Sequence, residues 1–190
     1  MALPLIVGIS GASGAIYGVR LLEALREAKV PAHLIVSKSA AVTLKEEAEL
    51  TVSEVRDLAA VTYANGDVGA AVSSGSFKTR GMVIIPCSIR TVSDIAYGTT
   101  DSLMSRAADV VLKERRRLVL VVRETPLHAG HLKSMLAATE NGAIIMPPVP
   151  AFYHKPKTID EIVNQTVGRC LDLFDFDSSL VTRWRADKGA

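Results

Sequence analysis

A loop rich in glycine and serine near the start of the chain carries the first chemical signal in the sequence. Residues 8–14 read GISGASG, between an apolar run over residues 3–9 and a helical pattern over residues 15–25. In a strand–loop–helix unit, glycines let the backbone approach a ligand, and the N–H groups at the helix start bind anions. The glycine spacing is not the G-x-G-x-x-G of dinucleotide-binding loops. A phosphate-binding loop and a plain turn are therefore both open.

Two further serines stand where a predicted strand gives way to a predicted helix. Ser37 follows the apolar residues 32–36, and Ser88 follows residues 81–86. A serine at such a point is either a helix N-cap or a donor to an anion. Because all carboxyl ends of parallel strands meet at one edge, we expect both serines near Ser13. Their convergence favours a ligand that carries a phosphate.

A charged pair follows the apolar residues 119–122 at the same predicted edge. Arg123 and Glu124 stand there, and Pro126 stiffens the loop that follows. Glu124 is a candidate general acid, a candidate stabiliser of a cation, or only the ion-pair partner of Arg123.

Three other basic residues and a proline-rich loop have weaker local signals. Arg106 and Lys113 are seven residues apart and share one helix face, which alone indicates a solvated surface. Arg169, in the last predicted helix, has the same ordinary interpretation. Residues 147–154 (PPVPAFYH) combine prolines with aromatic rings, which suits a site for an apolar group beside a polar one.

The cysteines and histidines do not indicate a metal centre or a disulfide framework. Cys87 and Cys170 are the only cysteines, and Cys87 is best interpreted as a small buried residue. His128 and His131 lack a convincing set of further ligands, so we expect no metal.

These residues must be positioned by strands that alternate with helices. The patterns predict strands over residues 3–9, 32–37, 81–86, 118–122 and 143–146. Helices are predicted over residues 15–25, 37–49, 53–60, 88–97, 102–116, 132–140 and 159–174. Ser53 and Asp101 are the expected N-caps of two of them, Pro86 is expected to end its strand, and residues 65–78 to form an ordered loop. This alternation predicts an α/β fold with a parallel sheet between two helical layers.

Composition limits the classes of function. The chain has 190 residues, which suits one domain over residues 1–190 with a short polar C-terminal tail. Its 22 basic and 20 acidic residues do not indicate a nucleic-acid partner. No apolar run approaches the roughly 20 residues of a membrane span, and the start lacks a basic leader. We expect a cytoplasmic protein.

The ordered set of motifs resembles the flavin prenyltransferases of the UbiX type. The resemblance extends from about Leu5 to the Arg183-Trp184 tail. The motifs that carry it are GISGASG at 8–14, Ser37-Lys38, Pro86-Cys87-Ser88, RAADVVLKERR at 106–116, Arg123-Glu124-Thr125-Pro126 and PAFYH at 150–154. Each motif alone is weak, and the set in this order is specific.

The resemblance implies a flavodoxin-like fold and a homo-oligomer, typically a dodecamer, with sites at subunit interfaces. It implies transfer of a dimethylallyl group from dimethylallyl phosphate to N5 and C6 of reduced FMN, without a metal. The prenylated FMN would serve a UbiD-type decarboxylase, commonly in ubiquinone synthesis.

The resemblance also assigns residues. It implies FMN binding by Gly11, Ala12, Ser13, Ser37, Ser88, Ile89, Arg90, Thr91 and Arg123. It implies binding of the prenyl phosphate by Arg106, Lys113, Tyr153 and Arg169. Catalytic roles fall to Glu124, Lys113 and Glu47, and Glu47 is expected to come from a neighbouring subunit. Trp184 matches a tail tryptophan of the family and receives no role.

Two other functions remain as alternatives. A flavin-dependent cysteine decarboxylase has the same architecture but carries a catalytic histidine and an Asn-Xaa-Xaa-Met signature. The sequence lacks that signature. A non-enzymatic FMN carrier would not need a second phosphate site.

Overall fold

The computed structural model describes residues 2–184 and builds them around one parallel sheet. The strands are β1 Leu5–Ile9, β2 Ala32–Val36, β3 Val61–Ala64, β4 Gly81–Cys87, β5 Arg117–Val122 and β6 Ile144–Ile145. The helices are α1 Ala15–Glu27, α2 Lys38–Ala48, α3 Val52–Arg56, α4 Ile89–Ala96, α5 Leu103–Lys113, α6 Ala129–Glu140 and α7 Ile159–Asp172. A single 3₁₀ turn, Ala71–Ser73, lies between β3 and β4.

The strand order is β3-β2-β1-β4-β5-β6, and every pairing is parallel. Without the edge strand β3 this is the flavodoxin order, so the predicted fold class is confirmed. The chain reverses its direction across the sheet between β1 and β4. In such sheets the ligand crevice opens at that point, beyond the carboxyl ends of the strands.

Apolar strands explain why both faces of the sheet are covered. All five residues of β1 and all seven of β4 are buried. One core cluster packs α1, α2, α3 and α7 on one face. The second packs α4, α5 and α6 on the other. The carboxyl edge stays outside both layers, which is where the loops of the candidate site begin.

Two features of the sheet differ from what the sequence predicts, each for a physical reason. Pro86 does not end β4 but lies within it, where the pairing with β5 shifts register between Ile84 and Cys87. A shifted register tolerates a residue without an N–H. Residues 61–64 form β3, an edge strand that was not predicted from the sequence, because the exposure of its residues does not alternate.

The helix caps differ from the predicted ones by one or two positions. Thr51, not Ser53, caps α3, and Ser102, not Asp101, caps α5. Both form capping boxes, with Glu54 and Ser105 returning the hydrogen bond. Within residues 2–184, no helix is long and apolar enough to cross a membrane.

Candidate active site

The loop between β1 and α1 is held against the start of α2. Gly14 has φ +100°, a left-handed conformation that favours glycine, and α1 begins at the next residue. A Cβ added at Gly11 would lie 2.3 Å from the Cβ of Ser39. Only glycine permits this approach, so Gly11, Ala12 and Ser13 form a narrow cradle beside the α2 N-terminus.

Glu47, near the end of α2, closes this loop from within the same chain. Its Oε2 accepts hydrogen bonds from the backbone N–H of Gly14 (2.7 Å) and of Ala15 (3.2 Å). The unpaired N–H groups at the start of α1 attract an anion, and α2 of the same chain supplies it. That Glu47 serves a site from a neighbouring subunit stays a prediction.

The surroundings of Glu47 also bring two predicted site residues together. The hydroxyl of Ser13 and the charge of Arg123 both act on this carboxylate. Partial burial alone would raise the pKa of Glu47, but the hydrogen bonds from Gly14, Ser13 and Ala15, with the charge of Arg123, hold it below its ordinary value. Glu47 is thus an anion held by the glycine loop, near enough to Arg123 to be affected by its charge.

A buried serine joins the ends of the two central strands, although the sequence alone predicted no role for it. Ser10 is 2% exposed, and its hydroxyl donates to the carbonyl of Pro86 (2.9 Å). The same oxygen accepts from the backbone N–H of Ser88 (2.7 Å). This bridge fixes the β1 and β4 loops across the point where the strand order reverses. A hydroxyl directly after a buried strand was the available signal.

Ser37 and Ser88 are both N-caps. The hydroxyl of Ser37 accepts from the N–H of Ala40 (3.0 Å), and that of Ser88 accepts from the N–H of Thr91 (3.3 Å). The side chains of Ser88 and Thr91 are also hydrogen-bonded, at 3.0 Å. Capping leaves the other first N–H groups of each helix without an intrahelical acceptor. Both helix starts therefore remain able to bind an oxyanion. At the start of α4, the available donors include the backbone N–H groups of Ile89 and Arg90.

Arg123 and Glu124 leave the end of β5 at the same edge. The N–H of Arg123 donates to the carbonyl of Cys87 (3.1 Å), which ties this loop to the end of β4. Glu124 is half-buried, and its carboxylate accepts only from the N–H of Thr125 (3.0 Å) in residues 2–184. No ion pair joins it to Arg123 in that part of the chain. The structure therefore does not support the interpretation of Glu124 as a mere partner of Arg123.

Tyr153 and Arg169 belong to a second cluster, along one face of α7. The Tyr153 hydroxyl donates to the carbonyl of Thr182 (2.8 Å), and its ring meets Trp184 edge-on at 5.4 Å. Arg169 Nη1 lies 2.5 Å from Asp172 Oδ2. Asp172 also holds Arg183, and the two arginines lower its pKa although partial burial opposes them. The cluster thus combines cationic and hydroxyl donors.

Arg106 and Lys113 are not brought to the glycine loop of their own chain. Both lie on the outer side of α5, where Arg106 pairs with Asp109 (3.1 Å) and Lys113 with Glu114 (2.5 Å). Lys113 ends α5 four residues before β5 begins, at the amino edge of the sheet. A strand of six residues spans roughly 17 Å, so Lys113 and the loop at residues 11–14 lie at opposite edges.

The remaining candidates behave as structural residues. Cys87 is fully buried, and burial raises the pKa of its thiol. The rings of His128 and His131 stack on each other, 3.7 Å between centroids, at the start of α6. Across residues 2–184, no group of three or more histidine, cysteine or acidic side chains is placed to hold a metal ion.

Comparison with known proteins gives a consistent result. The model of the Flavoprotein family matches residues 2–171. The chain is 58% identical over 184 residues to the flavin prenyltransferase UbiX of Escherichia coli (strain K12), covering 95% of this chain and 97% of that protein.

Two solved structures are also close. AnUbiX (PadA1), in complex with FMN and dimethylallyl pyrophosphate, superposes with a TM-score of 0.95 at 49% identity, over 97% of this chain and 98% of its own. A dodecameric FMN-dependent UbiX-like decarboxylase from Escherichia coli O157:H7 has a TM-score of 0.94 at 48% identity, over 96% and 99% of the two chains.

Proposed function

This chain belongs to the UbiX family of flavin prenyltransferases, and we propose that it transfers a dimethylallyl group from dimethylallyl phosphate to N5 and C6 of reduced FMN. The observation that carries the proposal is the pairing of two separate groups of anion-binding residues in one chain. One lies at the carboxyl edge of the sheet, and the other, with Tyr153 and Arg169, lies on α7.

The first group suits the FMN phosphate and ring. The N-termini of α2 and α4, capped by Ser37 and Ser88, present backbone donors for one terminal phosphate. Ile89, Arg90 and Thr91 form the first turn of α4. Glu47 already satisfies the N-terminus of α1, so we assign the phosphate to α2 and α4. Gly11, Ala12, Ser13 and Arg123 then border the flavin.

The second group suits the prenyl phosphate. Arg169 offers a guanidinium and Tyr153 a hydroxyl, and cations that neutralise a departing phosphate lower the barrier to its release. The outward-facing Arg106 and Lys113 would complete this group at the site of a neighbouring subunit. The place of Lys113 at the edge of the sheet opposite its own glycine loop supports that assignment.

Glu124 is an acidic residue at the proposed flavin edge. Its carboxylate has no cationic partner in residues 2–184, so it is available to move a proton or to stabilise a cation. Reduced flavin supplies the nucleophilic N5 and C6, and the protein holds the two reactants in register, which lowers the entropic cost of their encounter.

We further propose that the chain works as a homo-oligomer, as the dodecameric relative does, in the cytoplasm. Its product would serve a UbiD-type decarboxylase, with ubiquinone synthesis as the expected pathway. A pure FMN carrier would have no need of the cluster on α7.

The test is mass spectrometry of the flavin after anaerobic incubation of the protein with FMN, dithionite and dimethylallyl phosphate. We expect the mass of reduced FMN to increase by C5H8, because one dimethylallyl group is gained and one proton leaves with the phosphate. Matched incubations with oxidised FMN, or with FAD in place of FMN, should give no product. Unchanged flavin in the complete incubation would refute the proposal.

A further inference from the structure

The last described residues form a segment, 180–184, that is docked on α7; we call it the tail strap. It crosses the helix at Gly168, where an added Cβ would lie 2.4 Å from Val181 Cγ2 and 3.0 Å from Leu180 Cβ. Arg183 then anchors it to Asp172 with hydrogen bonds of 3.0 and 3.1 Å. The strap is thus in close contact with the helix that carries Arg169.

Gln165 is the polar residue of α7 that joins the tail strap to Tyr153. It is 4% exposed, and both ends of its amide are used. Oε1 accepts from the N–H of Thr182 (2.9 Å). Nε2 donates to the hydroxyl oxygen of Tyr153 (2.8 Å) and lies 3.3 Å from the carbonyl of Thr182. Such a buried amide with every contact satisfied fixes the geometry around it.

The arrangement matters because the Tyr153 proton is already in use. The hydroxyl donates to the carbonyl of Thr182, and binding a phosphate requires that proton to turn away. A carbonyl left without a donor would oppose the change. The second N–H of Gln165 already points to that carbonyl, so it can keep the carbonyl paired while the Tyr153 proton moves to the phosphate.

We propose that Gln165 is a positioning residue for the prenyl phosphate: it holds Tyr153 in place and replaces its proton at Thr182. This inference rests on the proposed function, in which Tyr153 binds that phosphate. Gln165 itself contacts neither substrate. Its effect should therefore fall on the prenyl donor and leave the flavin untouched.

The first test is Gln165→Met, which keeps the length of the side chain and removes its three polar contacts. The KM for dimethylallyl phosphate should rise about tenfold, while kcat at saturating donor and the Kd for FMN stay within about twofold. Asn164→Ala is the matched control: it removes a 2.7 Å hydrogen bond that Arg20 donates to the preceding residue of α7 and breaks none of the hydrogen bonds of the tail strap given above. An unchanged KM in Gln165→Met, or an equal loss of FMN affinity, would overturn the inference.

A second variant keeps the test sharp if Gln165→Met is poorly folded. Thr182→Pro removes the N–H that Gln165 accepts, in an exposed residue of the tail strap. It should raise the same KM by a similar factor. The double variant should be less than additive, because both changes break one network. Full additivity would refute the coupling. If the wild-type protein prenylates FMN and both variants have its KM for dimethylallyl phosphate, only this inference is refuted. If the wild-type protein is inactive, the proposed function is refuted.

Discussion

Glu47→Ala is the substitution for which the structure gives the most definite expectation. The change removes the acceptor of two backbone N–H groups, at 2.7 and 3.2 Å, at the start of α1. Loss of a carboxylate that caps a helix start costs about 1 kcal/mol. For a chain of this length that corresponds to a fall in Tm of about 2–4 °C.

The same contacts set how the effect depends on pH. The pKa of Glu47 in the folded chain lies below its ordinary value of 4.5, so its stabilising contribution is complete above that value. It is lost as the pH falls below 4.5 through the folded pKa. The difference in free energy of unfolding between wild type and Glu47→Ala should therefore be constant near neutrality and shrink in acid.

Urea unfolding at equal protein concentration, repeated from pH 7 down to pH 3, measures both expectations. Glu46→Ala is the matched control: it removes the neighbouring exposed carboxylate, which makes no hydrogen bond in the part of the chain that the structure describes. A Glu47→Ala protein as stable as Glu46→Ala at pH 7 would show that the contacts with Gly14 and Ala15 contribute nothing. A difference independent of pH would contradict the role of its charge.

Three further predictions concern the two groups of the site. Glu124→Gln should leave FMN bound but slow single-turnover prenylation by about a hundredfold or more; an unchanged rate would exclude proton transfer by Glu124. Arg169→Ala should weaken dimethylallyl phosphate by about 1.5–3 kcal/mol in a substrate titration, while fluorescence titration shows unchanged FMN affinity; equal losses would place Arg169 in the flavin site. Gly11→Ala should lower stability by about 1–3 kcal/mol in urea and weaken FMN, because its Cβ collides with Ser39; wild-type values would refute the close approach.

The positions of the strands and most helices were predictable because each has a clear period or is a continuous apolar run. A fully buried run such as β1 has no polar residue to obscure it, and Ser88 followed by a helical pattern correctly indicated the start of α4. The edge strand β3 lacked that signal, since partly exposed residues on a short strand follow no simple period. Pro86 was misread because a register shift, which depends on the neighbouring strand, cannot be seen in one segment.

The site divides in the same way. Residues at strand ends, such as Ser88 and Arg123, were placed by topology alone, because parallel strands share one carboxyl edge. The contact of Glu47 with Gly14 depends on how α2 packs beside α1, which no local pattern specifies. The role of Gln165 depends on a strap that returns 17 residues later. Contacts between distant segments therefore could not be predicted from the sequence.

The location of Lys113 at the edge of the sheet opposite its own glycine loop has a genetic consequence. If a neighbour's site uses this lysine, its codon contributes to the fold of one subunit and to the chemistry of another. Defects at Lys113 and at Glu124, introduced into different copies of the gene, then fall on different sites of a mixed assembly. Some sites in such an assembly receive two intact contributions, so two alleles that are each inactive complement one another.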